Sequence, residues 1–201
     1  MVEFVDYYFT PNSPWSYMGH GRLTELADRY GFGIRVYPVD YGGTIFPATG
    51  GLPLGKRSPQ RQAYRLVELE RWREVLGVEL NIKPSFWPAN EVLAAGMILA
   101  ARESGDGAAR FSGALLSAVW AEERNIADRD TLLAIAGECD LDGDSLIRAA
   151  ETEEITKLRA RESEQAIDRG VFGAPTYIYG GELFWGQDRV DLLERAVKAS
   201  Q

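Results

Sequence analysis

Cysteine and histidine are almost absent from this sequence of 201 residues, in which Cys139 and His20 are the only ones. A single cysteine cannot form an intrachain disulfide, and one residue of each kind is too few for a multi-histidine zinc site or an iron–sulfur cluster. A catalytic triad that needs a second histidine is excluded as well. We therefore expect no bound metal, a structural role for His20 at the surface or partly buried, and a reducing compartment.

The chain is also short of basic residues and of long apolar runs. Its 22 lysines and arginines against 30 aspartates and glutamates leave a formal net charge of −8 at pH 7, and a surface of this sign repels phosphate backbones and anionic lipid. No stretch reaches the roughly 18 apolar residues of a membrane span, and the first residues lack the basic region of a signal peptide. We expect a cytoplasmic protein that binds neither nucleic acid nor membranes.

Apolar residues, in contrast, are plentiful enough for a sizeable core. They make up 45% of the chain and include five tryptophans, nine tyrosines and eight phenylalanines, which excludes a disordered chain. The length predicts one domain, or one domain that carries a large insertion.

The first part of the chain shows a strand–helix–strand pattern. Residues 2–9 are β-branched and aromatic, helical spacing follows as far as Gly31, and residues 34–39 alternate as a second strand. The glycine- and proline-rich segment from Thr44 to Pro59 predicts a long loop, and loops of this length are often functional. From residue 58 to 150 the apolar spacing is helical only, beginning with a Ser-Pro helix start.

The last part returns to mixed patterning. A helix that ends at Gly170 precedes a strand that opens at Pro175, and Gly180-Gly181 joins this strand to a second one at 182–185. A final helix closes the chain.

The order βαβ, helices, α, ββα predicts an α/β thioredoxin-like fold with an all-helical insertion domain. Residues 1–57 and 151–201 would form the thioredoxin-like domain, and residues 58–150 would form the helical insertion domain.

The turn before the first helix is the first candidate for function. It reads Ser13-Pro14-Trp15-Ser16, and the free N–H groups and positive dipole end of a helix N-terminus are available there. An S-x-x-S pair cannot exchange electrons as C-x-x-C does, which excludes disulfide oxidoreductase activity. The alternative is that Ser13 only caps the helix, with proline at the first helical position.

Two segments near the C-terminus are the next candidates. Gly173-Ala174-Pro175-Thr176 opens the hairpin, and a cis peptide bond before its proline would turn the preceding N–H and C=O towards the first helix; an ordinary strand-opening proline is the alternative. Gly186-Gln187-Asp188-Arg189 opens the last helix. Its glutamine and aspartate either hold a ligand's ammonium group or cap that helix.

Aromatic and basic side chains between these segments are further candidates. Phe86 and Trp87 lie in a proline-bounded loop where a flat aromatic substrate could stack, although such residues more often pack in a core. Lys56, Arg57 and Arg61 either form a solvated face or supply the positive charge that an anionic ligand needs on a protein of net charge −8.

Together these residues resemble one family. The runs that carry the resemblance are F-V-D-Y-Y-F-x-x-x-S-P-W-S-Y, F-P-A-T-G, A-Y-R-L-x-x-L-E-R-W, G-V-F-G-A-P-T-Y-I and G-E-L-F-W-G-Q-D-R. They are similar to 2-hydroxychromene-2-carboxylate isomerases, of the kappa-class glutathione transferase group in the DsbA-like thioredoxin superfamily. The resemblance covers essentially the whole chain.

The resemblance implies a homodimeric, glutathione-dependent isomerase of small aromatic carboxylates that acts by reversible thiolate addition. Ser13 matches the family's catalytic serine, beside the glutathione sulfur. Ala174 precedes Pro175, which matches the family's cis-proline, and the backbone of Ala174 would pair with the cysteinyl part of glutathione. Gln187 and Asp188 match the positions that hold its γ-glutamyl end.

A serine hydroxyl can serve this chemistry without being a nucleophile. A hydrogen bond to a charged group contributes about 1.5–3 kcal/mol, so a serine donor would lower the pKa of a thiol by about one to two units. No base that would activate the serine itself is evident.

The chain departs from the family pattern at Thr10, where relatives often have an acid, and at Gly51, where they have an asparagine after A-T-G. No ligand contact is therefore assigned to position 51. Two alternatives stay open: a kappa-class-like glutathione transferase that conjugates electrophiles, and a non-catalytic thioredoxin-like binding module that has lost its cysteines.

Overall fold

The computed structural model of the chain describes residues 3–105 and 107–200, so predictions for Met1, Val2, Asp106 and Gln201 fall outside the described residues. The described strands are β1 (Phe4–Phe9), β2 (Gly33–Pro38), β3 (Thr176–Tyr179) and β4 (Glu182–Trp185). The described α-helices are α1 (Pro14–Tyr30), α2 (Phe46–Thr49), α3 (Pro59–Leu76), α4 (Val92–Ser104), α5 (Ala108–Trp120), α6 (Arg129–Glu138), α7 (Gly143–Ala150), α8 (Glu153–Asp168) and α9 (Val190–Ser200).

The strands form one mixed sheet in the order β2-β1-β3-β4. β1 runs parallel to β2 and antiparallel to β3, so that Tyr7 stands opposite both Val36 and Tyr177. β3 and β4 form the predicted hairpin, in which Tyr177 is paired with Phe184. This βαβ unit followed by a ββα unit confirms the predicted thioredoxin-like α/β fold.

The central strand is buried on both faces because its alternate side chains point to opposite sides of the sheet. Val5, Tyr7 and Phe9 pack into a large core that also contains residues of α1, α4 and α5. Tyr8 packs instead with Tyr41 in a smaller core that includes part of α8. Helices therefore cover the sheet on both sides.

The helical segment between residues 58 and 150 shares the large core with the sheet. All of the described strands lie outside this segment, and the middle of α4 within it, from Ala94 to Ala101, is buried. Because the sheet and this segment have one core in common, the division into residues 1–57 with 151–201 and an insertion of residues 58–150 stays a prediction.

Helix boundaries follow the capping residues of the sequence. Ser13 and Ser58 cap α1 and α3, each followed by a proline in the first turn. Gly31 and Gly77 end these helices in the left-handed conformation, at φ of 71° and 64°. None of the helices in the described ranges is both long and apolar enough to cross a membrane.

The prediction of a loop from Thr44 to Pro59 is wrong. Most of this stretch is ordered in short helical turns: a π-helical turn at Tyr41–Ile45, then α2, then a 3₁₀ turn at Leu54–Lys56. The Asp40 carboxylate caps the first turn by accepting a hydrogen bond from the Gly43 N–H at 2.9 Å. Turns this short carry no apolar periodicity, so their sequence does not distinguish them from a loop.

His20 lies on the buried side of α1, against α5. A side chain at Gly113 would place its Cβ 2.6 Å from the His20 Nε2 atom, so glycine at position 113 makes room for the imidazole. Burial lowers the pKa of His20 to about 4, and the ring is therefore neutral at pH 7. A structural role fits this placement, but the expectation of a surface or partly buried position is wrong, because the side chain is buried in the contact between α1 and α5.

We expect this burial to make the protein less stable in acid. Below about pH 6.5 the unfolded chain protonates His20 while the folded chain does not until about pH 4, so about 3 kcal/mol of unfolding free energy is lost over this interval. Denaturant unfolding from about pH 7 to about pH 4 should show a shallower pH dependence for His20→Gln than for the wild type. Parallel curves for the two proteins would contradict the prediction, since carboxylates common to both cancel in the comparison.

Candidate active site

A cavity of about 780 Å³ opens between the turn before α1, the 40–57 segment, α3, the segment before α4 and the start of the hairpin. Its walls include residues from segments far apart in the sequence. The residues that line it include Thr10, Asn12, Ser13, Gly51, Arg57, Arg61, Arg65, Trp87, Glu91, Arg159, Ala174 and Trp185.

Ser13 combines a capping role with a free hydrogen-bond donor. Its Oγ atom accepts a hydrogen bond from the Ser16 N–H at 3.1 Å, which satisfies one of the open amides of α1. Within residues 3–105 and 107–200, the hydroxyl hydrogen of Ser13 has no acceptor. The two interpretations of this serine are therefore compatible, because accepting from the helix leaves the hydrogen available to a ligand in the cavity.

Ala174 presents an unpaired stretch of backbone to the same cavity. The Ala174–Pro175 peptide bond is cis, as predicted. The preceding carbonyl, of Gly173, accepts hydrogen bonds from the hydroxyls of Tyr41 at 3.0 Å and Thr176 at 2.6 Å. In the part of the chain that the structure describes, the N–H and C=O of Ala174 form no hydrogen bond, so both are available to an extended ligand.

Trp185 forms an aromatic wall beside this backbone. The indole is half exposed and contacts the Phe172 ring with a centroid distance of 4.6 Å. Any Cβ atom at Gly173 would collide with its ring, so position 173 requires glycine.

The Glu91 carboxylate ties the turn before α1 to the rest of the cavity. It accepts hydrogen bonds from the Thr10 hydroxyl, from Asn12 Nδ2 at 2.9 Å and from Arg159 Nη2 at 2.9 Å. The Asn12 carboxamide also pairs with both the N–H and the C=O of Ala89, each at 2.9 Å. Glu91 was not predicted as a site residue, because no local pattern in the sequence reveals a partner about 80 residues away.

Contacts within the structure explain both departures from the family pattern. The Thr10 hydroxyl donates to Glu91, where an acid would place two carboxylates side by side. A Cβ atom at Gly51 would collide with the ring of Phe46, so an asparagine there would require that ring to move.

Three arginines give the cavity a positive wall. Arg57, Arg61 and Arg65 line it, and none of them forms a salt bridge with a carboxylate of the described residues. Arg65 packs over Trp87 and Trp120, with its guanidinium carbon 5.0 and 5.8 Å from the two ring centroids. Arg57 and Arg61 were predicted from the sequence but Arg65 was not, although it lies one helical turn after Arg61.

Some predicted site residues lie together and others do not. Ser13, Ala174, Trp87, Arg57 and Arg61 line the cavity, whereas Lys56, Phe86, Pro175, Gln187 and Asp188 are not part of its wall. Phe86 and Lys56 are exposed outside it. The prediction that these two side chains line the substrate site is not supported by their positions.

The turn that carries Gln187 and Asp188 lies beside the cis-proline. The Gly186 N–H donates a hydrogen bond to the Pro175 carbonyl at 2.9 Å. Gln187 is 2% exposed, and its side-chain oxygen accepts from Arg22 at 3.2 Å, so its side chain is engaged within the protein. Asp188 is exposed, and its ion pair is with the neighbouring Arg189.

The family described as DSBA-like thioredoxin domain matches residues 4–198, and the chain is a protein of this class. The cytosolic disulfide reductase DsbM from Pseudomonas aeruginosa, solved with GSH, shares the fold at a TM-score of 0.64 and 16% identity, over 97% of this chain and 99% of that one.

Within this class, the 2-hydroxychromene-2-carboxylate isomerase of Pseudomonas sp. strain C18 is 31% identical over 98% of this chain and 91% of its own. A solved structure of a 2-hydroxychromene-2-carboxylate isomerase superposes with a TM-score of 0.82 at 27% identity, covering 98% of this chain and 95% of that one. The chain belongs to the 2-hydroxychromene-2-carboxylate isomerase family and is an isomerase, which confirms the resemblance.

Removing the Glu91 carboxylate should destabilise the protein. Glu91→Ala leaves the largely buried Arg159 without its partner, and breaking a buried pair in this way costs about 3–5 kcal/mol. The matched control Glu151→Ala removes the exposed pair with Arg129 and should cost less than about 1 kcal/mol. Equal losses for both variants in denaturant unfolding would contradict the role of Glu91.

Proposed function

We propose that the protein is a glutathione-dependent isomerase of aromatic acids similar to 2-hydroxychromene-2-carboxylate. The observation that carries the proposal is the meeting, in one cavity, of a free hydroxyl donor at a helix N-terminus and an unpaired backbone at Ala174. The family relationship favours isomerisation over conjugation by a glutathione transferase, which would need the same residues.

The residues present fit glutathione. The free N–H and C=O of Ala174 can pair with a peptide as an added strand would, and glutathione is a peptide. The hydrogen bond from Gly186 to Pro175 keeps the exposed Asp188 carboxylate near this stretch, where an ammonium group would be bound. The DsbM structure with GSH supports the proposal only at the level of the fold. Gln187 contributes by packing rather than by its amide, which is bonded to Arg22.

Glutathione supplies, when bound, a thiolate that adds reversibly to a conjugated carbon, so that a double bond becomes a single bond that can rotate before the thiolate is expelled. Ser13 donates its free hydroxyl hydrogen to the sulfur and stabilises its negative charge. The N-terminus of α1 acts in the same direction, since its dipole favours an anion and the Ser16 N–H polarises the Ser13 hydroxyl.

The cavity walls suit a flat aromatic anion. Trp87 and Trp185 line it and offer indole faces, while Arg57 and Arg61 offset the net charge of −8 that repels an acid from the protein. The homodimer and the cytoplasmic location stay predictions, and the proposal depends on neither.

Glutathione binding is the first test. Isothermal titration should find about one site per chain, with the dissociation constant raised about tenfold by Asp188→Ala because a charge-assisted contact is lost. Asp191→Ala is the matched control: it removes a nearby carboxylate that pairs with Arg22 and should leave binding unchanged. An absence of binding at millimolar glutathione would refute the proposal and favour a non-catalytic module.

Ser13→Ala tests the role of the hydroxyl. We expect the thiol pKa of bound glutathione to rise by about one to two units, read as thiolate absorbance against pH, while the dissociation constant hardly changes. Turnover of the chromene carboxylate should fall about tenfold or more with the lost thiolate. Thr152→Ala removes the equivalent cap of α8 and controls for lost helix stability. Equal thiol pKa values in wild type and Ser13→Ala would refute the role.

A further inference from the structure

The guanidinium of Arg65 is the least satisfied charged group of the cavity. Its Nη2 atom is buried and has no hydrogen-bond partner in the described residues, and no carboxylate there pairs with it. Leaving a buried donor unpaired is unfavourable, and more so when the group is charged. A partly buried cation that lines a cavity, and whose buried nitrogen has no hydrogen-bond partner in the described residues, is best explained by a partner that arrives with the ligand.

The surroundings hold this guanidinium in place and keep its charge uncompensated. Its face packs on the rings of Trp87 and Trp120, and the side chain lines the cavity, where an acceptor can approach the edge of the guanidinium. Burial and repulsion by Arg57 lower the pKa of Arg65 to about 10, so it is still charged at pH 7. An anion bound here would accept the unpaired hydrogen bonds of Arg65 and compensate its positive charge.

Position favours the substrate over glutathione as the source of that anion. The Trp87 indole N–H donates a hydrogen bond to the Asn12 carbonyl at 2.9 Å, directly before Ser13. Arg65, stacked on Trp87, therefore stands near the turn where the reaction is proposed to occur. The proposed glutathione contacts at Ala174 and Asp188 belong to the hairpin and the turn after it.

We propose that Arg65 binds the carboxylate of the aromatic substrate and makes the cavity selective for acids over neutral analogues. This inference rests on the proposed function for the identity of the substrate. The planar guanidinium suits a carboxylate because two parallel N–H groups can donate to its two oxygens. Arg65 is thus a specificity-determining residue, and Trp87 positions it.

The test compares Arg65→Met with Arg71→Met. Methionine keeps the helix propensity and most of the side-chain volume, and Arg71 lies on the same helix but pairs with Glu68 at the surface. The probes are salicylate and its neutral analogue salicylamide, whose affinities are measured by tryptophan fluorescence, together with the KM of the chromene carboxylate.

We expect the wild type to prefer salicylate, and Arg65→Met to weaken salicylate binding and raise KM by about tenfold or more, with salicylamide and glutathione binding unchanged. Arg65→Lys should restore part of the preference, and Arg71→Met should behave as wild type. The inference is overturned if the wild type binds both probes equally, if Arg65→Met matches Arg71→Met, or if glutathione binding is lost instead. Salicylate binding needs no turnover, so failure of the proposed isomerase activity would be seen separately.

Discussion

The arrangement of the cavity depends on the hydrogen bonds and the ion pair that the Glu91 carboxylate forms. It joins the segment directly before α4 to two other parts of the fold: the turn after β1, through Thr10 and Asn12, and α8, through Arg159. A largely buried carboxylate is stable only with such partners, and their geometry leaves the turn little freedom. Because Ser13 follows that turn directly, Glu91 indirectly sets the position of the hydroxyl without taking part in the proposed chemistry.

The N-terminus of α1 offers a hydroxyl donor and a positive dipole end but no thiol of its own. The turn holds Ser13 and Ser16, and Cys139, the only cysteine, is buried at the end of α6. The features that favour a protein thiolate at such a turn, open amides and a positive dipole end, would equally favour a thiolate brought by a ligand. Under the proposed function, the end of α1 stabilises the thiolate of a bound ligand instead of a thiolate of the protein itself.

The arginines that line the cavity determine its local charge. An acidic protein repels an acidic ligand at long range, and only unpaired cations inside the cavity can reverse this locally. Arg65 is the clearest example of an unpaired cation, because the rings of Trp87 and Trp120 cover its guanidinium without neutralising its charge. The neighbouring carboxylate Glu91 does not cancel the effect, since its charge is already compensated by Arg159.

Local chemistry made much of the fold predictable. Ser-Pro starts and glycine ends defined α1 and α3, and Gly180-Gly181 defined the hairpin. The helical turns between residues 41 and 56 were missed because they are too short to show a period. Within the site, Ser13 and Ala174 were found from motifs, whereas the contacts of Glu91 depend on pairing across more than 60 residues, which spacing cannot report.

If glutathione acts here as a recycled cofactor, as we propose, its stoichiometry will reveal it. The isomerisation of 2-hydroxychromene-2-carboxylate would be followed by absorbance with far less glutathione than substrate, and free thiol would be titrated at the end. We expect many turnovers for each glutathione molecule and full recovery of the free thiol. Without glutathione, we expect no turnover above background. Turnover that needs no glutathione, or that consumes one thiol for each product, would contradict it.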